Sequence, residues 1–179
     1  MPLVRHPDVA GISFTGSNEV GRDVNIEAAR NLKRVALELG GKNAIIVLDD
    51  ADLDLAVDGI IWSAFGTTGQ RCTACSRLIV QKGIRDDLTG RLLDRISRLR
   101  LGHGLEADTD VGPLINASQL ERVHSYMDVA RSDGAHILTG DLHVVPWRWV
   151  ACSAATMPSR HYAGRSVGRW LGAQRPITF

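Results

Sequence analysis

The chain has 179 residues and a mass of 19.5 kDa, with 44% hydrophobic and 23% charged residues and a formal net charge of +1, which is one ordinary domain's worth of chain and enough to bury a core. Three cysteines, no apolar run of the roughly 18 residues a membrane span needs, and no cationic start followed by an apolar stretch argue against a disulfide framework, a membrane anchor and secretion, so a cytoplasmic protein is expected. Near-neutral charge gives no electrostatic reason to invoke nucleic acid or acidic lipid.

In chain order, Gly11 to Thr15 predicts a short strand closed by Gly16-Ser17, with Ser17 capping a helix over roughly 18–32. Val35, Leu37 and Leu39 then alternate with Glu38 ahead of Gly40-Gly41, which predicts a second strand with Glu38 near its end. Residues 44–48 read as a buried-type strand. An acidic start (Asp49, Asp50, Asp52, Asp54) follows, suited to the positive end of a helix that carries Leu53, Ala56, Val57, Ile60, Ile61 and Ala64 on one face and stops at Gly66 and Gly69.

Residues 77–81 predict a further strand, and Ile84, Leu88, Leu92, Ile96 and Leu99 recur at helical spacing to about Arg100. After a loop rich in Gly and Asp, Asn116 and Gln119 make a capping-box-like start to a helix bearing Leu120, Val123, Met127 and Ala130, and 135–138 predicts the next strand. Strands alternating with helices indicate an α/β fold with a largely parallel sheet.

The composition breaks near residue 142. All 20 acidic residues and 16 of the 21 basic ones precede it, whereas the last 38 residues carry five arginines, no lysine, no acid and three of the four tryptophans, without strand or helix periodicity. With 18 Arg to 3 Lys in the whole chain, the pattern suggests GC-rich coding DNA, and residues 142–179 are read as an atypical tail, a frameshifted or spurious end.

Several residues before that break bear chemistry. Gly16-Ser17-Asn18-Glu19-Val20-Gly21 follows a strand and opens a helix, where backbone N–H groups and the helix dipole can receive a phosphate, although Arg22 and Asp23 stand where a Walker A loop needs Lys and Ser/Thr. Glu38 lies between leucines, so desolvation is expected to favour its neutral form and bring it into the range of a general base; the alternative is a carboxylate paired with a core arginine or capping nearby backbone. Cys72 follows a Gly-rich loop at a helix end, where a thiol meets ligand, against the commoner fate of a free cysteine as a buried small hydrophobe. Cys72 and Cys75 also form a C-x-x-C, a redox dithiol or half a zinc site, yet no second ligand pair of suitable spacing is present and no metal is expected. Trp62 reads as core.

Three segments in order, Phe14-Thr15-Gly16-Ser17-x-x-Val20-Gly21, Leu37-Glu38-Leu39-Gly40-Gly41-Lys42-Asn43 and Phe65-Gly66-Thr67-Thr68-Gly69-Gln70-Arg71-Cys72, resemble the aldehyde dehydrogenase superfamily over about residues 3–141. Asp110-Val111-Gly112-Pro113-Leu114-Ile115 is similar to a further family segment. The resemblance implies an incomplete aldehyde-dehydrogenase fold: the end of a Rossmann-type cofactor domain in residues 1–40 and the first part of an α/β catalytic domain in 41–141. It implies Cys72 as nucleophile, Glu38 as general base, and Gly16, Ser17, Val20, Gly21, Leu39 and Gly40 around NAD or NADP, with oxidation of an aldehyde to a carboxylic acid through a thioester.

Gly41-Lys42-Asn43-Ala44-Ile45-Ile46 and Gly69-Gln70-Arg71-Cys72 look similar to branches that oxidise semialdehydes. Family members carry upstream a Lys for the ribose and an Asn for the oxyanion hole, and downstream a Glu-Glu-x-Phe-Gly-Pro segment and an oligomerisation strand. None of these is found in this sequence, so the homo-oligomer that the family implies lacks its segment here, and the chain is expected to be inactive alone. The competing expectations are a non-catalytic fragment or pseudoenzyme and a cofactor-independent thiol esterase.

Overall fold

The computed structural model describes residues 1–140 together with two short strands, Ala154–Thr156 and Ile177–Thr178. It divides into two compact units, Met1–Gly41 and Lys42–Phe179.

The first unit contains α1 (Pro2–Arg5), β1 (Gly11–Gly16), α2 (Asn18–Ala29) and β2 (Arg34–Leu39). β1 and β2 pair in parallel from Gly11↔Arg34 to Gly16↔Leu39, with α2 as the crossover. Ser17 caps α2 as expected, its hydroxyl accepting from the Val20 N–H at 3.2 Å. The helix ends at Ala29, earlier than its pattern predicts, because Leu32 turns to a left-handed φ of 52° and the Lys33 N–H folds back to the Ala28 carbonyl.

The second unit contains β3 (Asn43–Val47), α3 (Leu53–Phe65), a 3-10 turn (Gly66–Gly69), β4 (Cys75–Val80), a second 3-10 turn (Lys82–Ile84), α4 (Arg85–Ser97), α5 (Ala117–Ser132), β5 (His136–Thr139), β6 (Ala154–Thr156) and β7 (Ile177–Thr178). Its strands form one sheet in the order β3-β4-β7-β6-β5. All neighbouring pairs are parallel except β5–β6, so the sheet is mixed. The prediction of an atypical tail falls on residues that, apart from β6 and β7, lie outside the described ones.

The acidic start of α3 caps it as its composition suggests: Asp52 accepts from the Asp54 and Leu55 N–H groups. Its apolar face then buries Val57, Ile60, Ile61, Ala64 and Phe65 against Leu88, Leu92 and Ile96 of α4 and Val47, Cys75 and Leu78 of the sheet. Leu78, Leu88 and Leu92 have no exposed surface, so this cluster is the platform on which the loop between α3 and β4 stands. Asn116 caps α5 by accepting from the Gln119 N–H at 2.9 Å.

Candidate active site

The polypeptide leaves α3 at the buried Phe65 and reaches Cys72 through an unusual turn. Thr67, Thr68 and Gly69 adopt φ values of 51°, 59° and 66° in succession. Left-handed backbone costs about 1–2 kcal/mol for each residue that carries a Cβ, and two of these three are β-branched, so the surroundings must hold them there. At Gly69 glycine is required as well by space, since a Cβ would lie 2.9 Å from the Ala64 carbonyl oxygen.

The holding contacts are hydrogen bonds to the segment after Asp110. Thr68 Oγ1 donates to the Gly112 carbonyl at 2.9 Å. The Gln70 side chain accepts from the Ile115 N–H at 3.0 Å and donates to the Pro113 carbonyl at 3.4 Å. That segment is anchored in turn by Asp110, whose Oδ2 accepts from the Arg100 N–H at 2.9 Å and lies 3.4 Å from Arg100 Nε. The backbone N–H first, and then the guanidinium, hold the Asp110 carboxyl below the usual carboxylate range.

Arg71 closes the other side. Its Nη2 donates to the Trp62 and Ser63 carbonyls at 2.9 and 3.2 Å, satisfying acceptors at the end of α3, and its guanidinium lies 4.0 Å from the centre of the Trp62 ring. Trp62 is therefore not core, as its helix position suggested, but 67% exposed, because it faces away from the apolar stripe and gives its ring to Arg71.

The two cysteines of the C-x-x-C part company here. Cys72 is exposed, and Cys75 is buried at the start of β4. The Cys75 N–H donates to Ser63 Oγ at 3.2 Å and its thiol to the Arg77 carbonyl at 3.1 Å. Burial pushes the Cys75 thiol up. Of the pair, Cys72 is the one offered to solvent.

Asn43 reaches into this loop from β3. Its Nδ2 donates to the Cys72 carbonyl at 2.6 Å and to the Ala74 carbonyl at 3.2 Å. Its own carbonyl accepts from Ser76 Oγ at 3.4 Å. The β3–β4 register breaks here, from Asn43↔Cys75 to Ala44↔Arg77, which leaves Ser76 as an extra residue on β4.

In the first unit, β1 ends at Gly16 and α2 begins beyond Ser17, with Ser17 to Glu19 exposed at the helix N-terminus. A Cβ on Gly16 would lie 2.5 Å from the Phe14 ring, so glycine lets that ring fold back over the strand end. The Phe14 ring, Val20 and Val24 line an open apolar groove of about 370 Å³ with Met1, Pro2, Leu3 and Val4. Gly21 is buried against Leu39, whose side chain stands where its Cβ would be, and Gly40 is exposed with open space around it. Glu38 is exposed on β2. The expectation that its leucine neighbours would desolvate it does not hold, because strand alternation turns Leu37 and Leu39 to the opposite face.

A family model described as the aldehyde dehydrogenase family matches residues 1–146. The chain belongs to the aldehyde dehydrogenase family. Among solved structures, betaine aldehyde dehydrogenase from Staphylococcus aureus in complex with NAD+ is 35% identical with a TM-score of 0.88, the match covering 98% of this chain and 36% of that one. The apo G234S mutant of the same enzyme is also 35% identical, with a TM-score of 0.89, 99% of this chain and 36% of that one. The chain thus spans about 36% of the length of these aldehyde dehydrogenases, and its α/β structure matches the corresponding part of their fold.

The structure brings Cys72, Asn43, Thr68, Gln70 and the 110–115 segment together in the second unit. Gly16, Ser17, Val20, Gly21, Glu38, Leu39 and Gly40 all lie in the first. Periodicity gives no signal for Asn43 or for the left-handed threonines. What marks them in sequence is only their place inside runs that resemble the family.

Proposed function

We propose that this chain carries the junction of an aldehyde dehydrogenase: the end of the cofactor domain in residues 1–40 and the first part of the catalytic domain in 41–141, with Cys72 as nucleophile and Glu38 as general base. The observation that supports the reading most is that, within a family-matched segment, Cys72 is the exposed member of the cysteine pair on a loop pinned from both sides, whereas Cys75 is buried.

The residues of the first unit suit a dinucleotide. An exposed helix N-terminus after a strand receives phosphate, and the apolar groove beside it, lined by Phe14 and Val20, suits a flat ring. Gly16, Ser17 and Val20 would hold NAD or NADP, with Gly21, Leu39 and Gly40 shaping the backbone around it. When bound, the dinucleotide supplies the hydride acceptor for the oxidation.

The chain's own residues do the rest. The Cys72 thiolate adds to the aldehyde carbonyl carbon, forming an S–C bond while the carbonyl oxygen takes the electron pair, and the Cys72 backbone N–H donates to that oxygen. After oxidation to the thioester, Glu38 takes a proton from water, the water oxygen attacks the acyl carbon, and the C–S bond breaks to give the carboxylic acid and the free thiol. The substrate is an aldehyde, and the Gly-Gln-Arg-Cys form favours a semialdehyde.

The test is a chimera in which residues 1–141 replace the corresponding part of the S. aureus betaine aldehyde dehydrogenase. Aldehyde-dependent NADH formation is expected. Cys72→Ala should lower it roughly 10³-fold or more, and Glu38→Gln should leave a thioester on Cys72 detectable by mass spectrometry. A chimera as active with Cys72→Ala as without it would overturn the reading. The isolated 179-residue chain is expected to turn over no aldehyde.

A further inference from the structure

We propose that Asn43 is a positioning residue for the Cys72 nucleophile: its side-chain amide fixes the peptide units after Cys72, so that the thiol and the backbone N–H of Cys72 keep a set direction. The inference rests on Cys72 being the nucleophile.

A primary amide has two N–H donors, and Asn43 spends both on one short arc, the carbonyls of Cys72 and Ala74 at 2.6 and 3.2 Å. Two acceptors two residues apart, held at one nitrogen, set the curvature of the chain between them. The nitrogen itself is fixed, because Asn43 pairs with Cys75 across the sheet and its carbonyl receives the Ser76 hydroxyl at 3.4 Å.

The contact sits at the register break, where the ladder is locally disrupted and a side chain can take over the pairing of backbone carbonyls. On the other side of Cys72, the Thr68 and Gln70 bonds hold the preceding turn. Asn43 completes the clamp on the side that these bonds do not reach.

The consequence is selective. Addition to a carbonyl needs the thiol and an N–H donor aligned on one trigonal carbon, so it is sensitive to direction. Alkylation by iodoacetamide displaces iodide and uses no such donor, so it reads only exposure and ionisation of the thiol.

The probe is p-nitrophenyl acetate with the intact 179-residue chain. The Cys72 thiolate attacks the ester carbonyl, an S–C bond forms, the C–O bond breaks, p-nitrophenolate leaves with the electron pair, and the thiol proton goes to buffer. A burst of p-nitrophenolate with acetyl mapped to Cys72 is expected, absent in Cys72→Ala.

In Asn43→Leu, which keeps the branched shape and loses both donors without adding a charge, the burst rate constant should fall about 10- to 100-fold, while iodoacetamide labelling of Cys72 changes by less than about threefold. Asn43→Ser, which keeps one donor on a smaller side chain, should fall between and serves if the leucine variant does not fold. Circular dichroism melts accompany each variant.

If both variants acylate at the wild-type rate while Cys72→Ala is silent, the positioning role is overturned and the nucleophile stands. If acylation and alkylation fall together, Asn43 is merely structural and the proposal is overturned. If the wild-type chain gains no acetyl at Cys72, both readings fail.

Discussion

A single methyl group at residue 69 decides whether the turn before Cys72 can close. Alanine there would have to keep a φ near the observed 66° and place its Cβ 2.9 Å from the Ala64 carbonyl. Gly69→Ala should therefore destabilise the chain by about 1–2 kcal/mol, read as a lower urea midpoint at unchanged slope. A wild-type midpoint would show that the turn relaxes into another geometry. At this scale the sequence exposes chemistry better than it exposes support. A thiol after a Gly-rich loop is legible, and Cys72 is exposed. Glu38 is exposed although leucines flank it, because successive side chains of a strand face opposite ways and neighbours in sequence are not neighbours in space. Asn43 was not legible, because a hydrogen bond spanning 29 residues leaves no local pattern.

Among the elements, the stretch from Arg100 to Ile115 contains little regular structure, yet it bears the carbonyl and N–H groups that receive Thr68 and Gln70. Asp110 fastens its start to Arg100. The carboxyl of Asp110 is held below its ordinary value in the folded chain, so its stabilising effect is fully present above the unfolded pKa and is lost as the pH falls through the lower folded one. Thermal melts of the wild type and Asp110→Asn should thus differ by a constant amount at neutral pH and converge on acidification. A difference that grows as the pH falls would contradict the assignment. The elements themselves were legible where a cap and a period agree: Ser17 and Asn116 cap the helices they were expected to start, and Asp52, one of the four acids expected at the start of α3, caps that helix. The end of α2 was not, because its apolar pattern runs on through Leu32 while the backbone has already turned.

Across the molecule, the sheet of the second unit shows why pattern alone could not complete the fold. Parallel strands are normally covered on both faces. Helices α3 and α4 cover one, whereas on the other Ile46, Leu48 and Ile79 are 66%, 54% and 42% exposed. A strand with apolar residues on both sides reads as buried from sequence, whereas here only one side is. An apolar face along the outer strand β3 favours self-association. Ile46→Lys should lower concentration-dependent light scattering without lowering the melting temperature, and unchanged scattering would locate the sticky surface elsewhere.

The clamp around Cys72 has a consequence in time as well as in space. Its bonds join residues 29, 44 and 45 apart along the chain, and contacts that close such long loops gain nothing until their ends have been brought together. The left-handed turn should then be assembled late, after the α3–α4 core has formed. Strain introduced at Gly69 should appear almost wholly in the unfolding limb of a stopped-flow chevron, with refolding left at its native speed. The loop that presents Cys72 would be the last part of its unit to form and the first to be released.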